Sequence, residues 1–270
     1  MLEFSVFLAG IRPQNWQALY DSIKACTKRE FELIFVGPYD LPDSLKNTPN
    51  VKFIQDWGCP SRCYQIGLLA CSAPYVLFVA DDGVFLNNGA VDNAFKTLES
   101  LPKSNKNIIS LKYYEGVITT DSYIAKPEYW KMGDHKFFRK LGIPRHFFLV
   151  MTALVSREYM IEIGGWDCRF DHLGLGAQDL GIRMQKDGAN VIMGDYFIHV
   201  TFSPKHEGDH APIHDSHYDH EIPLFRSIYS HPSCSVRIKI DANNWIYSPP
   251  VWVRRFGNEI KGIDHLELAI

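Results

Sequence analysis

The sequence has no long hydrophobic run: nowhere in its 270 residues is there a stretch near the roughly 18 uncharged apolar residues that a membrane-spanning helix needs. The opening Met1-Leu2-Glu3-Phe4 lacks the basic lead and cleavable apolar segment of a secretory signal, which predicts a cytoplasmic protein without a transmembrane segment. There is no excess of positive charge either. Lys and Arg number 28 against 31 Asp and Glu, a net charge of −3, so a phosphate-tracking surface and a nucleic-acid partner are not expected. Cysteine is sparse: the six residues at 26, 59, 63, 71, 168 and 234 are too scattered for a disulfide scaffold. Only Cys59-x-x-x-Cys63 is close-spaced, and with no second pair it reads as two small buried side chains at the start of a helix rather than as a zinc site. Repeats and low-complexity tracts are missing too. What remains, 46% hydrophobic and 22% charged residues, is the composition of a globular chain large enough for a substantial core.

The first hundred residues alternate between short apolar runs and amphipathic segments. Phe4 to Ala9, Phe31 to Val36, Val51 to Ile54 and Tyr75 to Ala80 read as strands. Trp16, Leu19, Tyr20 and Ile23 fall on one helical face, Ser61 to Cys71 forms a second helix behind Pro60, and Ala90, Val91, Ala94, Phe95 and Leu98 mark a third. Buried parallel strands have this unbroken apolar character, so the expected fold class is α/β, a mostly parallel central sheet flanked by helices. From Lys103 to Arg145 the pattern loosens into aromatic-rich, irregular sequence. It resumes with a strand over Phe147 to Val155, a short helix capped by Ser156 and ended by Gly164-Gly165, and a helix over Asp179 to Lys186. Two closing strands follow, Val191 to Met193 and Tyr196 to Ile198. The expected division is an α/β domain over 1–202 and a His-rich extension over 203–270 packed on it, in which His residues crowd toward position 220.

Three groups of residues carry chemistry. Asp81-Asp82 follow the fourth strand directly, and ligands of open α/β sheets bind at the carboxyl ends of strands. Adjacent carboxylates there suit Mg²⁺ or Mn²⁺, which take a few protein oxygens and complete their shell with phosphate and water. A polar turn is the competing reading of Asp81-Asp82-Gly83. The run Gly164-Gly165-Trp166-Asp167, Arg169-Phe170-Asp171 and Gly174-Leu175-Gly176-Ala177-Gln178-Asp179 places Asp179 in the expected first turn of a helix, where the dipole favours an ionised base. An ordinary helix cap explains the same spacing. His199, in an apolar strand, is either a core histidine or a metal ligand.

In this order the groups resemble an inverting GT-A glycosyltransferase of the family 2 type, over roughly residues 4 to 202, and Gly165 to Arg183 resembles the acceptor-side motif of its galactosyltransferase-like members. The resemblance implies a GT-A, Rossmann-like fold and transfer of a sugar from a nucleoside-diphosphate sugar, a UDP-sugar by the family's habit, to a hydroxyl of a glycan or other acceptor. It implies Mn²⁺ or Mg²⁺ held by Asp82 and His199, with Asp179 as the catalytic base. Donor contacts would come from Asp81, Arg62, Arg12, Asp40 and Asp56. Trp166, Asp167, Gly176 and Gln178 would lie where donor sugar meets acceptor, and Tyr113, Tyr114, Tyr129 and Trp130 could stack on acceptor rings. The chain departs from the family at three points: Ala80 stands where the first acid of the DxD motif is expected, Val36-Gly37-Pro38-Tyr39-Asp40 replaces the usual Val-Asp-Asp-Gly-Ser, and Gln178 replaces Glu.

Other readings exist. The run from His206 through His210, His214 and His217 to His220 suggests a zinc hydrolase or metal-binding module, although its spacing fits neither His-Glu-x-x-His nor a zinc finger. Alternatively, His206 or His210 belongs to a loop closing over the donor diphosphate. A nucleotidyltransferase would carry a glycine-rich basic loop after the first strand, for which Gly10-Ile11-Arg12-Pro13-Gln14 is thin. A non-catalytic binding module would leave Asp179 exposed and far from Asp82.

Overall fold

The computed structural model describes residues 1–86, 88–115, 131–132, 147–148, 150–171, 173–200 and 221–229. Its first half follows the apolar pattern closely: β1 (Phe4–Ala9), α1 (Pro13–Cys26), β2 (Phe31–Gly37), a short α2 (Asp43–Lys46), β3 (Val51–Gln55), α3 (Pro60–Ala70), β4 (Tyr75–Phe78), β5 (Gly83–Phe85) and α4 (Ala90–Ser100). The second half adds β6 (Asn107–Glu115), a two-stranded ribbon of β7 (Lys131–Met132) and β8 (Phe147–Phe148), then β9 (Ala153–Ser156), α5 (Arg157–Glu162), α6 (Leu173–Lys186), β10 (Asn190–Val200) and α7 (Ile222–Ile228).

Eight strands form one sheet in the order β3-β2-β1-β4-β9-β6-β10-β5. The first four are parallel, β10 is parallel to β6, and β9 and β5 run antiparallel to their neighbours. Side chains alternate across the sheet, and both faces are buried. Phe4, Val6, Leu8, Leu33 and Phe35 join the core beneath α1 and α4, whereas Phe7, Ile34 and Val36 join the core beneath α3, α5 and α6. The unbroken apolar runs of β1 and β2 follow from this double burial.

Four sequence expectations are corrected. The segment after Lys103 is not uniformly irregular: Asn107–Glu115 is a nine-residue strand, with Tyr113 and Tyr114 on its backbone. Its apolar core, Ile108, Ile109 and Leu111, is interrupted by Ser110 and Lys112, which hides the run. The strand expected over 147–155 is the four-residue β9, wedged antiparallel between β4 and β6. The two closing strands are one strand, β10, with an irregularity between Met193 and Phe197 that sequence periodicity reads as a break. The helix expected to start at Asp179 starts at Leu173. The other punctuation is as read: the Ser156 hydroxyl accepts a hydrogen bond from Tyr159 N at the start of α5, and Gly164 and Gly165 follow α5 with positive φ of 98° and 64°. Cys59 and Cys63 are buried at the start of α3. Of the segment 203–270, residues 221–229 are described, and α7 packs Phe225 and Tyr229 against Phe170, Leu175 and Ile182.

Among the described residues no helix is long and apolar enough to cross a membrane.

Candidate active site

The carboxyl ends of β1, β2 and β4 meet at a tightly packed corner. A side chain at Gly37 would place its Cβ 1.9 Å from the Gly10 carbonyl oxygen, so glycine is required where β2 passes the end of β1. Asp81, just past β4, reaches across this corner. Its Oδ2 accepts hydrogen bonds from the backbone N–H groups of Ile11 (2.8 Å) and Arg12 (2.9 Å), and Oδ1 accepts from Arg12 Nη1 at 2.5 Å. Arg12 precedes Pro13, the first residue of α1, so this carboxylate also sits at the positive end of a helix dipole. Asp81 is thus a strut tying β4 to the entry of α1. Asp82 is equally buried, and its Oδ2 lies 3.9 Å from Arg12 Nη1.

The Arg12 guanidinium therefore stands between two carboxylates, where a cation is electrostatically favoured. Asp81 is committed to three donors, and Asp82 is the second acid of this corner that could hold a metal. A hard carboxylate oxygen fits Mg²⁺ or Mn²⁺, which draw most of their remaining ligands from diphosphate and water. The backbone register adds a second residue. β5 follows Asp82 directly and pairs with β10 so that His199 lies opposite Val84 and Val200 opposite Gly83. Two positions 117 apart in sequence are thereby brought within two residues of each other along paired strands. Among the described residues no group of three or more His, Cys, Asp or Glu side chains forms a complete metal shell. His206 and His210, like Tyr129 and Trp130, lie outside the described residues.

Of the expected donor contacts, Arg62 and Asp56 find each other. Arg62 Nη2 and Nε donate to Asp56 Oδ2 at 2.9 and 3.2 Å, and Gly58 N donates to Oδ1 at 2.7 Å. Arg62 has no exposed surface and Asp56 only 5%. Asp40 is exposed at the bend after β2. Tyr64, on α3, donates its hydroxyl to the Val79 carbonyl at 2.5 Å. Burial first, and then the charges of Asp81 and Asp82, push its phenol well above the ordinary range, so it stays neutral.

The Gly164–Asp167 loop lies between α5 and α6. Gln65 Oε1 accepts from Trp166 N at 2.8 Å, and the buried Trp166 ring lies against Tyr64 (4.8 Å between centroids) and edge-on to Phe78 (5.5 Å). Asp167 is gripped by Arg169, whose Nε and Nη2 donate at 2.9 and 2.6 Å. That bond is the main reason the Arg169 guanidinium is held above its ordinary pKa. Gly176 faces Ser61, whose Oγ lies 3.0 Å from where a Cβ would stand, and Gln178 is half-buried.

Asp179 sits differently from the expectation. It is the seventh residue of α6, in the helix interior, and the dipole of a first turn is not what compensates it. Two side chains do so. Arg183, one turn on, donates Nε to Asp179 Oδ2 at 2.8 Å, and the Tyr229 hydroxyl donates to Oδ1 at 2.7 Å. Arg183 also donates to the carbonyls of Ile163 (2.9 Å) and Gly165 (2.6 Å), so one guanidinium joins Asp179 to the glycine loop. The i,i+4 spacing of Asp179 and Arg183 is a legible signal once the helix is extended backward. Nothing in the sequence points to Tyr229, 50 residues away.

Comparison with solved structures places this architecture. Crystal structures of residues 1–349 of S. aureus TarS superpose with TM-scores of 0.54 for the UDP-GlcNAc complex (17% identity, 78% of this chain and 60% of that one) and 0.55 for the UDP complex (15% identity, 76% and 62%). The chain shares the Rossmann-like α/β fold of these structures. The chain spans less than two thirds of the length of these TarS structures. No protein-family model and no curated protein matches the sequence.

Proposed function

We propose that the protein is a metal-dependent, inverting glycosyltransferase that moves a sugar from a nucleoside-diphosphate sugar, most simply a UDP-sugar, to a hydroxyl of a glycan or other acceptor. One observation carries the reading: Asp81 and Asp82 stand at the carboxyl end of β4, beside Arg12 and just ahead of Val84, which pairs with His199, in a fold whose solved examples include UDP and UDP-GlcNAc complexes. Ligands of open α/β sheets collect at this edge.

Asp82 and His199 would hold Mn²⁺ or Mg²⁺, and the bound ion would supply Lewis-acid neutralisation of the departing diphosphate. Asp81 keeps Arg12 at the entry of α1, where its guanidinium and the helix terminus favour a phosphate. Asp179 takes the proton of the acceptor hydroxyl as that oxygen bonds to the anomeric carbon. The bond from that carbon to the diphosphate oxygen breaks on the opposite face, and the nucleoside diphosphate leaves with the electron pair. Trp166 and the glycine loop, fixed to Asp179 through Arg183, form the wall between donor sugar and acceptor.

The test is calorimetric titration of UDP and other nucleoside diphosphates, with and without Mn²⁺, into wild type and Asp82→Ala. The expected result is Mn²⁺-dependent binding of one nucleotide that is lost in the variant. Absence of nucleotide binding by a folded wild type, with zinc retained instead by the His206–His220 run, overturns the reading in favour of a metal-binding module.

A further inference from the structure

A general base must present a lone pair to its substrate, within about 2.6–3.2 Å of the oxygen whose proton it removes. Asp179 presents none to solvent, because both of its oxygens are bonded and the side chain is buried. Arg183 Nε occupies Oδ2, the Tyr229 hydroxyl occupies Oδ1 at 2.7 Å, and only 1% of Asp179 and 1% of Tyr229 remain accessible. An incoming alcohol has no path to either oxygen while Tyr229 is in place.

The contact that Tyr229 makes is the one the substrate would make: an O–H donated to a carboxylate oxygen. Both groups are hydroxyls on a carbon frame, and either one gains a charge-assisted bond from the carboxylate. We propose that Tyr229 is a built-in stand-in for the acceptor hydroxyl, and that α7 is a plug which the acceptor displaces before Asp179 can act. This rests on the reading of Asp179 as the base.

The packing of α7 suits a removable element. It has seven residues, too few to be a stable helix alone, and so depends on docking. Its anchor is a small apolar cluster of Phe170, Leu175, Ile182, Phe225 and Tyr229, separate from the two large cores on the faces of the sheet. Phe225 meets Phe170 edge-on at 6.2 Å and Tyr229 at 4.6 Å. Small satellite clusters of this kind open at lower cost than a central core. Arg183, by contrast, is held by the Ile163 and Gly165 carbonyls as well as by Asp179, and stays with the loop when Tyr229 leaves.

The experiment reads the accessibility of Asp179 directly. Full-length wild type, Tyr229→Phe and Tyr229→Ala are exposed to a water-soluble carbodiimide and an amine near pH 6, and coupling at Asp179 is quantified by peptide mass mapping. Tyr229→Phe keeps the ring packing, so it guards against a variant that simply fails to fold. The expected result is protection of Asp179 in wild type and at least about tenfold faster coupling in Tyr229→Ala, with Tyr229→Phe between them. Equal coupling in all three proteins overturns the plug. In parallel, release of UDP from UDP-GlcNAc is followed with water as the smallest acceptor. Tyr229→Phe is expected to hydrolyse the donor several-fold faster with unchanged affinity for UDP, and a slower Tyr229→Phe overturns the proposal by making Tyr229 a support of the base. Asp179→Asn separates the two failures: retained hydrolysis there removes Asp179 as the base, whereas loss of hydrolysis with uniform labelling removes the plug alone.

Discussion

Replacing Arg183 with Met should be strongly destabilising. Methionine matches the length of the side chain but supplies no donor. Three interactions disappear together: Nε to Asp179, Nη1 to the Ile163 carbonyl and Nη2 to the Gly165 carbonyl. Asp179 is left as a buried charge with only the Tyr229 hydroxyl, and breaking a buried pair in this way costs about 3–5 kcal/mol. The two carbonyls lose their partners at a depth where each costs roughly 1 kcal/mol or more. The sum, about 5 kcal/mol or above, is comparable to the whole stability of many domains. Asp179→Asn alone removes the charge but keeps acceptors for Arg183, and should cost about 2 kcal/mol. The double variant has neither charge to strand, so it should be less destabilised than the two single costs added, with a coupling of at least about 2 kcal/mol. Urea unfolding followed by tryptophan fluorescence measures all four proteins, Trp166 reporting from the loop that Arg183 holds. An Arg183→Met cost below about 1 kcal/mol, or strict additivity in the double variant, refutes the reasoning.

Three further outcomes follow from other parts of the molecule. Burial by itself raises the Glu32 carboxyl, but hydrogen bonds from Lys52, Ser5 and Ser72 outweigh it and hold the group at about 2. Its unfolded value is near 4.5, so its contribution is present above that pH and fades as pH falls from about 4.5 to about 2. The contribution is at most about 3 kcal/mol, less because Lys52 is half exposed, and denaturant titrations should show wild type and Glu32→Gln converging from pH 7 to pH 2.5. Burial pushes the Cys26 and Cys71 thiols up to about 11 and about 12, so a disulfide reagent at pH 8 should leave both unlabelled in the folded protein and label them only after denaturation. Gly37→Ala should lower the melting temperature by several degrees or prevent folding, because its Cβ meets the Gly10 carbonyl oxygen, and a melting temperature equal to wild type would contradict that close approach.

The parallel half of the fold was legible because each strand there is buried on both faces and written as a continuous apolar run, with Pro13 and Pro60 opening the helices between. The later strands were less so: β5 is three residues long and the pattern of β6 is broken by Ser110 and Lys112, so neither offers enough periodicity to be counted, while β9 was read as the end of a longer strand over Phe147 to Val155. Asp81, Asp82 and Asp179 were singled out by motif, but their pairings were not, for a definite reason. Arg12 lies 69 residues from Asp81 and Tyr229 lies 50 from Asp179, and such pairings exist only once the sheet order and the docking of α7 are known. The start of α6 was misplaced because Gly174 and Gly176 read as a loop. In the structure Gly176 is a close-packing position of the helix against Ser61.

Four of the acidic residues singled out by sequence each carry an arginine: Asp56 with Arg62, Asp81 with Arg12, Asp167 with Arg169 and Asp179 with Arg183. Buried pairs of this kind add little net stability, yet removing one member strands the other at a cost of several kcal/mol. Loss of activity after truncating any of these acids would therefore confound chemistry with local unfolding. For Asp82 the same confound applies, because it shares the Arg12 guanidinium with Asp81. For the paired acids the informative comparison is between the single carboxylate-to-amide variant and the same variant with its arginine also neutralised. If activity returns to neither while stability returns to the double variant, the carboxylate itself is needed for transfer. If activity follows stability, the pair is scaffold. Applied to Asp56 and Arg62, the same comparison decides whether that pair holds the donor or only the start of α3.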